Sequence, residues 1–222
     1  MSVRTNYVTN PSIETATTGW ARTDTAVGTS VITRVAGGQS GSYAIEFTYT
    51  AASGDTAATA TQYCTSTAVG TAAQGDLWTA SAYVKLGSGT TSGVAVSVRI
   101  AYYTSDGTYI GQVAGSDIMS SLTTAFQRFS YVGTLPADVT ISRVDCRLVV
   151  SSIADGDAFD LISDAWLLEK VGALDDYFDG STTDTGSWTY DWTGSAHAST
   201  STATSVETPS GDWAGLTVYH EL

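Results

Sequence analysis

The sequence predicts an all-β chain folded as a two-sheet sandwich. Three observations predict it: period-two hydrophobic alternation, glycine-rich breaks between the alternating runs, and a composition poor in charge. Apolar residues supply 42% of the 222 residues and charged residues only 14%, against about a quarter in a typical domain. Ser, Thr, Gly and Ala fill the gap. Thr suits a pleated face, and Gly suits the positive-φ corners between strands.

The runs follow in order. Tyr43, Ile45, Phe47 and Tyr49 share one face, with Ala44, Glu46 and Thr48 on the other. Trp78, Ala80, Ala82, Val84 and Leu86 alternate with Thr79, Ser81, Tyr83 and Lys85. Val94, Val96, Val98, Ile100 and Tyr102 alternate with Ala95, Ser97, Arg99 and Ala101, and Val144, Cys146, Leu148 and Val150 alternate with Asp145 and Arg147. One apolar and one polar face per strand is what an antiparallel sheet with a single buried side requires. Ser105-Asp106-Gly107 is the sharpest break, because Asp-Gly accepts a hairpin turn. Gly37-Gly38, Ser53-Gly54-Asp55, Gly87-Ser88-Gly89 and Asp155-Gly156-Asp157 mark the others. About eight to ten strands before residue 170, with room only for a short helical turn near Asp117–Leu122, make a sandwich. Trp20, Trp78 and Trp166 are read as core.

Charge divides the chain. The formal net charge is −13; residues 1–170 carry all nine Lys and Arg with fourteen acids, and residues 171–222 carry eight acids and no Lys or Arg. The predicted organisation is a sandwich over 1–170 and an acidic, aromatic β appendage over 171–222. This balance argues against nucleic acid, whose phosphates need a basic footprint. No stretch approaches the ~18 apolar residues of a membrane span. Met1–Thr5 lacks an apolar signal core, which predicts synthesis in a cytoplasm. Cys64 and Cys146 sit in strand-like runs, as two buried thiols or as one inter-strand disulfide.

Within the appendage, Tyr177, Phe178, Trp188, Tyr190 and Trp192 lie among Ser, Thr, Gly and Asp, and the last three would line one strand face. About thirty residues cannot enclose such rings alone. They are expected to form an interface with another copy or another protein, not only with residues 5–170. Val206–Leu222 reads as a closing strand or a docking tail.

Several motifs resemble known families. Asn6-Tyr7-Val8-Thr9-Asn10-Pro11-Ser12-Ile13-Glu14 followed by Gly19-Trp20 resembles the opening of jelly-roll carbohydrate-binding modules of families four and nine. Gly41-Ser42-Tyr43-Ala44-Ile45, Thr124-Ala125-Phe126-Gln127-Arg128-Phe129 and Phe159–Leu167 are similar to their later strands, with Phe126 in place of the usual Trp. The resemblance spans roughly residues 5–170 and implies a galactose-binding-domain-like jelly roll. A second resemblance is to minor tail proteins of phages infecting actinobacteria. It is carried by Asp176-Tyr177-Phe178-Asp179-Gly180, Trp188-Thr189-Tyr190-Asp191-Trp192-Thr193-Gly194 and His197-Ala198-Ser199-Thr200-Ser201.

These readings suggest sites. Alternation places Ile162, Asp164, Trp166 and Leu168 on one apolar face, and a buried carboxylate needs a partner. In the resembling modules the Asp matching Asp164 and the Glu matching Glu14 help bind a structural calcium ion, with carbonyls near Ser42 completing the oxygen shell. The alternative is that Asp164 caps backbone amides without a metal. Sugar binding asks for exposed rings beside planar hydrogen-bonding groups. Tyr83, Tyr103 and Tyr109 are the candidate rings, with Arg99 and Gln112 near them; alternatively these tyrosines only cover the surface.

Catalysis has little support. The two histidines, His197 and His220, both lie in the appendage, and no nucleophile elbow or zinc motif is present. Asp155, Asp157 and Asp160 lie close together in sequence, but an Asp-Gly-Asp turn is ordinarily a solvated loop. The expectation is a non-enzymatic minor tail protein of a phage virion. It would be structural, would bind host cell-wall glycan, and would assemble with other tail proteins and with its own copies. The alternatives are a virion scaffold or decoration protein without sugar binding, and an accessory carbohydrate-binding module of a hydrolase.

Overall fold

The computed structural model describes residues 1–207 apart from 26, 51, 66–71 and 138. Ten strands form two antiparallel five-stranded sheets packed face to face. The first runs β2 (Trp20–Asp24), β5 (Ala58–Cys64), β10 (Arg143–Ile153), β7 (Ala95–Tyr103), β8 (Tyr109–Ala114). The second runs β3 (Thr29–Ala36), β4 (Tyr43–Thr50), β11 (Ala158–Glu169), β6 (Leu77–Leu86), β9 (Gln127–Thr134). A single turn of 3-10 helix, Met119–Ser121, falls in the stretch where the sequence allows one.

The core follows the period-two pattern. Phe47, Trp78, Val84 and Leu161 of the second sheet face Val98, Ile100, Cys146 and Leu148 of the first, all buried. Each such side chain contributes about 1.5–3 kcal/mol on burial. Trp20 and Trp166, one from each sheet, meet at 5.1 Å between ring centroids. Phe159 lies edge-on to Phe47 at 4.9 Å and stacks on Tyr49 at 5.5 Å. Cys64 and Cys146 are buried thiols on the paired strands β5 and β10, with no disulfide between them.

One strand departs from simple alternation. The register of β11 against β6 shifts between Asp164 and Leu167, and Ala165 takes a left-handed φ of 50°. This bulge inserts one residue and reverses the facing of all that follows. Trp166 and Leu168 therefore point into the core, while Leu167 points outward. The expectation that Asp164 shares their face is corrected: it lies on the outer side of the second sheet, buried by what covers that side.

The cover is the C-terminal segment. β1 (Val3–Asn6), β13 (Ser201–Ser205) and β12 (Trp188–Trp192) form a third antiparallel sheet in the order β1-β13-β12. The first strand of the chain thus pairs with the appendage. Phe178 is 1% exposed, packed with Leu167 and Ala203, so its assignment to an external interface is corrected: its ring is consumed inside the chain. Tyr177, Trp188 and Tyr190 pack partly against the same cluster. Trp192 lies against Gly180 and meets His197 at 4.9 Å. The Tyr177-to-Gly180 motif and the Trp192 motif thus contact each other, which explains why a glycine serves at 180. Of the closing stretch, only Val206 and Glu207 are described; the remainder, His220 included, lies outside the described residues.

Candidate functional site

The outer face of the first sheet carries a dense group of aromatic and guanidinium side chains. Alternation along β10 turns Arg143, Asp145 and Arg147 outward while Val144, Cys146 and Leu148 enter the core. Register then builds rows across the sheet: Arg147 opposes Tyr63 on β5 and Arg99 on β7, and Arg143 opposes Tyr103, which opposes Tyr109 on β8. The Asp106-Gly107 turn joins β7 to β8, with Gly107 at φ 86° as the turn requires. It brings Tyr109 back beside Tyr103, edge to face at 5.7 Å.

At the centre lies a buried ion pair. Asp145 is 0% exposed. It accepts hydrogen bonds from Arg147 Nε at 2.7 Å, from Arg147 Nη2 at 3.1 Å and from the Tyr103 hydroxyl at 2.5 Å. Arg147 Nη2 also donates to the Tyr103 hydroxyl. Burial raises the Asp145 carboxyl above the ordinary range despite Arg147, and burial with the facing Asp145 raises the Tyr103 phenol. The Arg147 guanidinium lies 5.3, 5.6 and 5.3 Å from the ring centroids of Tyr63, Tyr103 and Tyr109. These contacts immobilise a cation and three rings before any ligand arrives.

Above this base is an open cleft of about 390 Å³ lined by Thr23, Tyr63, Tyr103, Tyr109, Arg143 and Arg147. Tyr109 is 49% exposed, a large ring facing solvent. The arrangement offers a stacking surface with fixed donors around it, the chemistry that holds a pyranose by its C–H face and its hydroxyls.

The structure brings together three of the four residues expected here. Tyr103 and Tyr109 line the cleft, and Arg99 lies beside Arg147 on the same face. Gln112 is one row along, opposite Ala101. Tyr83 is corrected: it is on β6 of the other sheet, opposite Arg128 and Asp164, with the Arg128 guanidinium 5.9 Å from its ring. Outward alternation is shared by both sheets and does not say which sheet a strand joins. Tyr63, Arg143, Asp145 and Arg147 were missed, although the alternating Arg143-x-Asp145-x-Arg147 on one strand was the available signal.

The second expected site is a loop clasp. Asp164 Oδ2 accepts the amides of Gln39 at 2.7 Å and Ser40 at 2.8 Å, and Glu14 Oε1 accepts those of Ser42 at 2.8 Å and Tyr43 at 3.0 Å. The two carboxylates are therefore neighbours on one loop, as expected. Burial pushes Asp164 up to about 7, with the nearby Glu14 adding to the rise against the two amides. The Ser42 carbonyl accepts the Gly37 amide at 2.9 Å. Asp164 Oδ1 is buried without a partner, but among the described residues no three His, Cys, Asp or Glu side chains converge to hold a metal. Asp164 Oδ2 and Glu14 Oε1 cap loop amides.

Other carboxylates act in the same way. Asp157 Oδ2 accepts the Ala154 amide at 2.8 Å, and Asp160 Oδ2 accepts the Gly89 amide at 2.5 Å. Asp179 accepts from the Ser12 hydroxyl at 2.9 Å and the Tyr177 hydroxyl at 3.0 Å. Paired glycosidase carboxylates must flank a shared cleft; Asp157 caps a turn, and the carboxylate of the aromatic cleft is paired with Arg147.

No protein-family model matches the chain, and no curated protein matches it. Solved structures do. One is a carbohydrate-binding module of the β-sandwich superfamily described for promiscuous specificity, with TM-score 0.52 and 19% identity, aligned over 72% of this chain and 61% of that one. Another is the enzymatically active domain of tailspike protein 4 of bacteriophage CBA120, with TM-score 0.51 and 16% identity, over 75% of this chain and 21% of that one. A third is an arabinose-bound α-L-arabinofuranosidase, with TM-score 0.51 and 9% identity, over 74% of this chain and 26% of that one. The chain thus spans under two thirds of each. At these identities the likeness shows the fold: a jelly-roll sandwich of the carbohydrate-binding-module type.

Proposed function

We propose that this chain is a non-catalytic glycan-binding protein whose ligand lies across the outer face of the first sheet. The observation that carries the reading is the exposed Tyr109 ring, braced edge-on by Tyr103 beside an immobilised Arg147 in an open cleft. Carbohydrate-binding modules among the neighbours support a sugar ligand. The test is binding of the purified protein to a panel of cell-wall and plant polysaccharides by affinity electrophoresis, with Tyr109→Ala as control. Binding lost in Tyr109→Ala at unchanged melting temperature is the expected result; no retardation by any polysaccharide overturns it.

We propose further that the protein works in a phage tail, made in the host cytoplasm and carried in the virion with other tail proteins and its own copies. The motifs at Asp176–Gly180 and Trp188–Gly194 support this reading, as does a phage tailspike chain of which 21% aligns with this fold. Trp188, Tyr190 and Trp192 keep part of their surface open and are the rings left for such contacts. An electron-microscopy map of the virion would test it, because a map with no density for this chain overturns it. A scaffold or decoration role without sugar is the competing reading if the tail position holds and the polysaccharide panel is blank.

A further inference from the structure

Resting on the glycan-binding reading, we infer that the saccharide taken by this cleft is acidic, bearing a carboxylate or a phosphate that Arg143 and Arg99 recognise. Three of the nine basic residues of a chain with net charge −13 stand together on this one face. Asp145 is the carboxylate that pairs with them, and it is spent on Arg147. Among the described residues neither Arg99 nor Arg143 makes an ion pair. Among the described residues two guanidinium groups are thus without a carboxylate partner, Arg143 in the cleft lining and Arg99 beside it, opposite Arg147.

Their own contacts leave donors in hand. Arg143 lies with its guanidinium carbon 5.0 Å over the Tyr103 ring, one Nη reaches the Thr65 carbonyl at 3.5 Å, and its Nε is buried with no hydrogen-bond partner. Arg99 donates its Nε to the Ser97 hydroxyl at 2.8 Å, which holds the side chain while leaving its terminal nitrogens uncommitted to a carboxylate. The one acid at the adjacent hairpin, Asp106, turns onto its own backbone at Thr108 and the Thr104 hydroxyl. A guanidinium fork matches both carboxylate and phosphate in two-point hydrogen bonding. The Debye length is about 8 Å at physiological salt, so the net negative charge of the whole chain does not mask the patch at contact range.

The experiment compares three polymers against the full chain by calorimetry: neutral xylan, polygalacturonate and a sugar-phosphate polymer. An acidic polymer is expected to bind at least about tenfold tighter than xylan, a difference of 1.4 kcal/mol, and to weaken as salt rises from 50 to 500 mM. Whether the carboxylate or the phosphate polymer is preferred identifies the anion, and either preference supports the inference. Arg143→Gln and Arg99→Gln should each weaken acidic binding about tenfold, a larger loss than either causes on xylan, and should abolish the salt dependence of the acidic polymer. If xylan binds as tightly as the acidic polymers and neither substitution matters, the acidic class is wrong and the glycan-binding reading stands. If no polymer binds, both fall.

Discussion

The two five-stranded sheets are built alike, yet their outer faces have opposite fates. On the first sheet, outward side chains of β5, β7, β8 and β10 pave an open cleft with tyrosine and arginine. On the second, Leu167, Asp164 and Glu169 of β11 point outward and are all buried, beneath Phe178, the loop at 38–43 and the third sheet. Arg4 of β1 fastens this cover. It donates Nε and Nη2 to the two Glu169 oxygens at 3.1 and 2.8 Å and lies 4.8 Å over the Phe178 ring. Each face thus contains one arginine paired with one buried carboxylate. On the second sheet the pair locks a lid; on the first it sets a floor. The C-terminal segment covers one face and leaves the other open to solvent.

Truncation after residue 172 should break this contrast most severely. It removes the partner strand of β1, uncovers Leu167 and exposes the surface that buries Asp164 and Glu169. The expected loss is several kcal/mol, or about 10 °C or more in melting temperature at roughly 2–4 °C per kcal/mol, in place of an intact jelly roll with a detachable tail. A thermal melt of the truncated chain that matches the full chain would show the cover to be dispensable. Next in size is the comparison of Arg4→Ala with Arg147→Ala. Each strands a buried carboxylate at a cost of about 3–5 kcal/mol. Chemical denaturation should find similar losses, whereas only Arg147→Ala should abolish polysaccharide binding.

Acidity sharpens the comparison on the covered side. Asp164 is held near 7 by burial, above its ordinary 3.8, so the folded state keeps its proton across that interval. Its contribution to stability is complete below about pH 4 and is lost as pH rises through 7, roughly 4 kcal/mol at 1.36 kcal/mol per unit. Asp164→Asn should remove this slope while keeping the amide contacts, as measured by denaturation at pH 4, 5.5 and 7. A cation at Asp164 Oδ1 would reverse the sign, so that calcium raised the melting temperature at pH 7 and chelator lowered it. The smallest stability effect is expected at the open face: Tyr109→Ala should shift unfolding by under about 0.5 kcal/mol, because its ring is half exposed, while removing saccharide binding.

Much of this was legible in the residues. Alternation marked the inward Phe47, Trp78, Ile100 and Leu148, and Asp-Gly and Gly-Gly pairs marked the corners, because hydrophobic period and backbone strain are local properties. The resemblance to jelly-roll modules, not local pattern, placed Glu14 and Asp164 together. Tertiary structure alone decided the rest. The bulge at Asp164 and Ala165 reversed the face of Trp166 and Leu168, and an inserted residue leaves no trace in alternation until the strand is paired. Tyr83 and Tyr103 look alike along the chain, yet strand order put them on different sheets. Tyr63, Arg99 and Arg147 lie far apart in sequence and meet only because β5, β10 and β7 are neighbours in register. Period two says which side of a strand a residue takes; which strands stand beside it is settled by packing across the whole core, and the candidate site is made of those neighbours.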